Sequence, residues 1–169
     1  MSASTTPAEQ REHLYKLLKG FNTAMLVTHG DEDHLRVRPM AIAQVADDGQ
    51  VWFITNVETA KAHEIEHDSR VHLVCQKDHT AYLSIGGRAS LVHDRAKVGQ
   101  LWNEMFRVWF PEGKDDPGIA LIAVVPEIGE YWDNQGVNRI KYLFEATRAY
   151  VTGSTPHVEE GKEHGMARL

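Results

Sequence analysis

The stretch Phe53–Ile65, FITNVETAKAHEI, changes character half-way along. Phe53, Ile54 and Thr55 continue a strand-forming run that starts at Val51. A small polar cluster follows, and then a helix that Thr59 can cap, with Ala60, Ala62 and Ile65 as good or tolerated helix residues. Lys61 falls in its first turn. A helix start exposes unpaired N–H groups and carries about half a positive charge. Small polar residues at the end of a strand, facing such a start, make a corner where an oxygen-rich anion can approach the backbone. The plainer alternative leaves Lys61 as a solvated helix residue and Thr59 as an N-cap alone.

Upstream, Leu35–Val45 (LRVRPMAIAQV) reads as a partly alternating strand. Residues two apart on a strand share a face, so Arg36 and Arg38 point the same way. Pro39 removes a backbone donor and marks a sheet edge or a bulge. An arginine from this strand, the hydroxyls of Thr55 and Thr59, Lys61 and the helix amides would together match a phosphate monoester in charge and acceptor count. Neither a Walker loop nor G-x-G-x-x-G occurs.

Thr6, Pro7 and Glu9 have the pattern of a capped helix start, Leu14, Leu17 and Leu18 form its apolar stripe, and Gly20 is placed to end it. Strands are expected at Thr23–Thr28, within Leu35–Val45 and at Val51–Thr55, with the turns HGDED and ADDGQ between them. An antiparallel meander is the simplest arrangement. RVHLVCQ and TAYLSIGGRASLV read as two more strands, with Gly86–Gly87 as a bulge or close approach. The spacing of Val98, Leu101, Trp102, Met105 and Trp109 predicts a helix over Asp94–Phe110. IALIAVVPEIGEYWD reads as two strands divided by Pro126, and a last helix is expected from about Asn138 to Val151. Short antiparallel strands with helices outside them predict an α+β barrel. A chain of 169 residues suits one domain, taken as residues 1–153 with a loosely held polar tail at 154–169.

A formal net charge of -6 argues against a general affinity for nucleic acid. No apolar run approaches the roughly 20 residues of a membrane span, and the N-terminal MSASTTPAEQREH lacks a signal pattern. The one cysteine, Cys75, has apolar neighbours and is expected in the core, which fits a reducing cytoplasm.

The block FITNVETAKAHEIEHDSRV closely resembles the stretch after the first hairpins of pyridoxamine 5'-phosphate oxidases, and RPMAIAQVADDGQVW resembles their arginine-bearing strand and turn. With YLSIGGRA, LWNEMFRVWFP and EYWD, the pattern over roughly Leu14–Asp133 is most similar to the bacterial general stress protein branch of that superfamily. The resemblance implies an FMN-binding split β-barrel with peripheral helices, a homodimer, and FMN (alternatively FAD) in a cleft between subunits. It implies that Arg38 and Lys61 are a phosphate-binding pair and that Thr55 contacts phosphate or ribityl. Ile54 would touch the flavin ring through its backbone. Met40, with Pro39 before it, would sit where the strand passes the flavin, and Trp132 would be an aromatic near the isoalloxazine. Arg36 has no counterpart and is expected to face solvent. Ala60 stands where the oxidases carry a second basic residue, and TGSTPHVEEGKEHGMARL lacks their substrate-phosphate motif, so pyridoxamine phosphate oxidation is not expected. The implied activity is flavin-dependent oxidoreduction with a small-molecule electron donor or acceptor. The alternative is a flavin carrier or sensor without turnover. No side chain stands out as an acid or base.

Ten histidines invite a metal reading, and His63 and His67 lie four apart with Glu64 between them. That segment satisfies H-E-x-x-H, yet the helix is short and a third ligand has no recognisable place, so no metal site is expected. Trp102, Phe106, Trp109 and Phe110 at helical spacing are read as core or subunit interface before a cofactor box. No nucleophile–His–acid set emerges.

Overall fold

Thr6 opens helix α1 (Pro7–Leu18) with a capping box: its Oγ1 accepts from the Glu9 amide at 3.3 Å, and Glu9 Oε2 accepts from the Thr6 amide at 2.7 Å. Leu14 and Leu18 are fully buried, each burial contributing about 1.5–3 kcal/mol. The computed structural model describes residues 6–78, 80–134, 148 and 163–169. Along it follow β1 (Thr23–His29), β2 (Leu35–Ala41), β3 (Gln44–Val45), β4 (Val51–Asn56), α2 (Ala60–His67), β5 (Arg70–Lys77), β6 (Ala81–Val92), α3 (Arg95–Leu101), a 3-10 turn (Glu104–Val108), β7 (Ile119–Asp133) and β8 (His164–Arg168). No helix among the described residues is long and apolar enough to cross a membrane.

The strands form one antiparallel eight-stranded sheet in the order β2-β1-β5-β6-β7-β4-β3, with β8 also on β7. Two parts of the expected meander are hairpins, β1–β2 and β3–β4. In the second turn Gly49 takes φ 87, a conformation open to glycine, and packs against the Tyr15 ring. Between the hairpins the chain leaves the ladder. Ile42 N donates to Asn22 O and Ala43 N to Trp52 O, so two residues carry it from one end of the sheet order to the other. That crossing curls the sheet into a half-barrel. β4 accordingly pairs with β7, and β1 with β5.

Other expectations are corrected. Ile119–Asp133 is one strand, not two, because Pro126 sits at a bulge. Gly86 faces Ile128 and Gly87 faces Pro126, so Glu127 is the extra residue and the proline sits next to the irregularity, where strand proline is tolerated. The expected helix over Asp94–Phe110 breaks after Leu101. Trp102 is extended (ψ 133) and the Asn103 side chain accepts from the Met105 amide, restarting the chain as a 3-10 turn. The helix expected at Asn138–Val151 and the domain boundary at 153 lie outside the described residues, apart from Arg148. Within the tail expected to be loose, His164–Arg168 forms β8 and completes the edge of β7.

Two apolar clusters follow strand alternation. The larger packs α1 on the concave face, through Leu14, Leu18, Leu26, Phe53, Leu73, Ile85, Val124 and Tyr131. The smaller joins α3 to the opposite side of β4 and β7 through Ile54, Val98, Leu101, Phe110, Ile119 and Leu121. Cys75 lies in the larger cluster, where burial pushes its thiol up to about 12. The convex face of β2, β1, β5, β6, β7 and β8 carries Leu35, Val37, Met25, Val74, Ile128 and Met166, all exposed.

Candidate functional site

At the end of β4 the chain turns on side-chain hydrogen bonds. Asn56 Oδ1 accepts from the Glu58 amide at 2.8 Å, and Thr59 Oγ1 donates to Asn56 O at 2.7 Å. The Thr59 proton is thereby committed, and Thr55 Oγ1 lies 3.2 Å from Thr59 Oγ1 and 3.4 Å from Asn56 O, either of which can accept its proton. Thr59 occupies the N-cap position of α2 but makes no side-chain capping bond. The amides of Ala60 and Lys61 belong to the first turn and have no helical carbonyl to donate to. Thr55 is buried among these groups at 2% exposure.

β2 supplies the opposite wall. Arg38 and Met40 pair with Leu26 and Ala24 and so point to the concave side, while Pro39 pairs with Met25 on the convex side. Arg38, Pro39, Met40, Ile54, Thr55, Thr59 and Lys61 line one cavity of about 330 Å³, together with Ala41, Asn56, Phe106, Trp109 and Phe110. That volume falls in the range of about 300–1,000 Å³ typical of small-molecule sites. The aromatic stripe therefore divides: Phe110 belongs to the smaller core cluster, yet Phe106, Trp109 and Phe110 also wall the cavity. Its break into a 3-10 turn is what swings Trp109 to the surface.

Behind this wall lies a network that sequence reasoning missed. Glu64 Oε2 accepts from Arg38 Nη2 at 2.7 Å and from Thr28 Oγ1 at 2.5 Å, and Arg38 Nη1 donates to Thr28 Oγ1 at 2.5 Å. Arg36, expected to face solvent, places Nε 3.4 Å from Glu64 Oε1. The available signals were modest. Thr28 is a polar residue at an inward position of β1, and Glu64 is three residues from Lys61 on one helix face. Burial pushes the Glu64 carboxyl up, but the Thr28 and Arg38 hydrogen bonds and the two arginine charges outweigh it, and its pKa is lowered. Lys61 has no carboxylate within ion-pairing distance among the described residues. Burial and the Arg38 charge push its pKa down, with Glu64 opposing. The corner thus holds one committed cation and one available cation, two hydroxyls and open amides, beside an aromatic wall.

A second feature lies apart from it. Trp132 does not line the cavity; it lies on the convex face, pairs with Tyr82 and stacks on His164 at 5.2 Å with 16° between rings. Pro39 belongs to both the cavity lining and that face. His63 lies 3.7 Å from Glu66, and no group of three or more potential metal ligands occurs among the described residues.

Comparison with known proteins agrees with this architecture. The pattern described as pyridoxamine 5'-phosphate oxidase like matches residues 9–157. The chain belongs to the pyridoxamine 5'-phosphate oxidase-like family. Within the family it falls in the general stress protein branch. General stress protein 26 of Bacillus subtilis (strain 168) is 32% identical over 81 residues, covering 46% of this chain and 57% of that protein. The chain thus spans little more than half the length of that relative. A solved structure of a general stress protein 26 from Jannaschia sp. CCS1 superposes with a TM-score of 0.76 at 25% identity, covering 96% of this chain and 99% of that one. The general stress FMN/FAD binding protein of Xanthomonas citri gives a TM-score of 0.65 at 32% identity, covering 76% of this chain and 92% of its own. The split-barrel fold of this pyridoxamine 5'-phosphate oxidase-like protein is that of a flavin-binding family.

Proposed function

We propose that this chain binds FMN in the cavity between β2 and α2 and acts as a flavin-dependent oxidoreductase of the general stress protein type. The observation that carries the reading is the convergence of Arg38, Lys61, Thr55 and Thr59 on one corner beside an apolar wall. Two cations and the open amides of α2, with the Thr55 hydroxyl turned from its protein acceptors, suit a terminal phosphate. Met40, Ile54 and the aromatic wall suit a flat ring system. FAD shares the ring and a phosphate at the same distance from it, and is the alternative cofactor. Bound flavin would supply the electron chemistry, while the protein's side chains hold, orient and shield it.

The same reading includes a homodimer formed through the convex face. Exposed Leu35, Val37, Met25, Val74, Ile128 and Met166 make an apolar surface of the kind that marks an association site. Pro39 joins that surface to the cavity, so a second subunit seated there would adjoin the flavin. It would also bring its own Trp132 towards the neighbouring cofactor.

A second reading, a flavin carrier or sensor, draws on one observation. Among the described residues, the titratable side chains lining the cavity are Arg38 and Lys61, neither an obvious proton donor to a ring. Anaerobic mixing of the flavin-loaded protein with excess NADH or NADPH separates the two. Bleaching of the flavin band within seconds supports turnover, and flavin that stays oxidised for minutes removes the oxidoreductase reading.

Lys61→Ala and Arg38→Ala should each weaken FMN binding by about 1.5–3 kcal/mol, the range for hydrogen bonds to charged groups. Quenching of flavin fluorescence measures this. Wild-type affinity in both variants would show that the phosphate lies elsewhere.

A further inference from the structure

A buried carboxylate next to an anion pocket requires a reason, because its charge opposes the ligand. The Glu64 side chain is 9% exposed, and none of Glu64, Thr28 or Arg36 lines the cavity that Arg38 and Lys61 line. Glu64 therefore stands behind the cations. It is also the place where two elements are joined. Among the described residues, the ion pairs between α2 and β2 are those of Glu64 with Arg36 and Arg38. One carboxylate oxygen takes Arg38 Nη2 and the Thr28 hydroxyl, while the other faces Arg36 Nε. Arg38, gripped by Thr28 through Nη1 and by Glu64 through Nη2, has its guanidinium plane fixed at two points. Lys61 rides on the same helix three residues earlier.

We propose that Glu64 is a positioning residue for phosphate selection: without touching the ligand, it ties α2 to β2 so that Arg38 and Lys61 converge on one phosphoryl group. This rests on the phosphate reading of the corner. Thr28 is the second part of the clamp, and Arg36 balances the carboxylate. Arg36 and Arg38 pair with the one carboxylate while Lys61 pairs with none, which leaves the corner a net positive charge for a dianionic monoester. The sign of the effect sets this apart from simple charge repulsion. If Glu64 acted on the ligand through its charge alone, its removal would tighten phosphate binding; as a clamp, its removal loosens it.

The experiment titrates the full-length protein with FMN and with riboflavin, which lacks the phosphate, and reads the ratio of the two affinities. Glu64→Ala is expected to lower the preference for FMN by about tenfold or more, in keeping with the loss of a charge-assisted contact. Riboflavin binding should change little, which a general loss of structure would not produce. Glu64→Gln retains the volume and one acceptor but cannot hold two arginines, so a smaller fall in the same direction is expected. Thr28→Val should behave likewise. If Glu64→Ala does not fold, the Gln and Val variants decide. An unchanged or raised FMN preference in the folded variants overturns the clamp while leaving the pocket intact. A wild-type protein that holds riboflavin as tightly as FMN overturns the phosphate reading itself, and the clamp with it.

Discussion

Lys61 carries a charge that its surroundings disfavour. Burial, then Arg38, lower its pKa from the ordinary 10.5, and Glu64 restores part of it. The sign follows from linkage. In the empty protein the charged form is penalised on folding, and the penalty is relieved as pH rises through the lowered pKa. A bound phosphate reverses this by favouring the ammonium. Preference for FMN over riboflavin should therefore decline on the alkaline side, beginning below the usual lysine range. Lys61→Arg, whose guanidinium stays charged above pH 12, should remove the decline. Affinity ratios measured between about pH 7 and pH 10 test both statements. A wild-type ratio flat to pH 10 would show that Lys61 does not meet the phosphate.

The long strand β7 shows what an element can absorb. It continues through Pro126 because the partner strand offers Gly86–Gly87, and the bulge places Glu127 out of register. A Cβ at Gly87 would lie 2.3 Å from Val125 O, a backbone atom that cannot swing aside. Gly87→Ala should therefore destabilise the protein by about 1–3 kcal/mol, as overpacking commonly does, and lower the midpoint of thermal unfolding. FMN affinity should stay near wild type in the fraction that folds, since the bulge lies away from the cavity lining. Unchanged thermal stability would mean that the two strands separate there at little cost. At α2, the element's short length matters more than its helix propensity. Ala62 and Ile65 bury one face, and Glu64 fastens another, so the start of the helix is held where the β4 turn delivers it.

On the scale of the whole molecule, the curled sheet has its concave face filled by α1. The convex face is covered by α3 over β4 and β7 and carries exposed apolar side chains over β2, β1, β5 and the far half of β7. Bare apolar area on that scale favours association. Val37 lies on β2 opposite Val27, in the apolar part of the convex face, and is 55% exposed. Val37→Lys would place a charge inside a subunit interface and cost nothing in a monomer. It should convert a dimer into a monomer by light scattering at micromolar concentration, with loss of flavin affinity if the cavity needs both subunits. A wild-type protein that is already monomeric at that concentration would refute the dimer.

Local chemistry alone determined a good deal of this protein. The capping box of α1, the Gly86–Gly87 bulge, the core position of Cys75 and the strand-to-helix handover at Thr55–Lys61 are each written in neighbouring residues. The short range of hydrogen bonds and side-chain alternation explains why. The spacing of short strands pointed to an α+β barrel, and the resemblance of Phe53–Val71 narrowed it to the split form. Only the tertiary structure decided that β2 and β3 end up at opposite ends of the sheet order, that Pro126 interrupts nothing, and that Glu64 and Thr28 grip Arg38. Those facts depend on partners far apart in the chain. A glutamate on an isolated amphipathic helix looks like any solvated residue until the fold brings an arginine to within 2.7 Å of it.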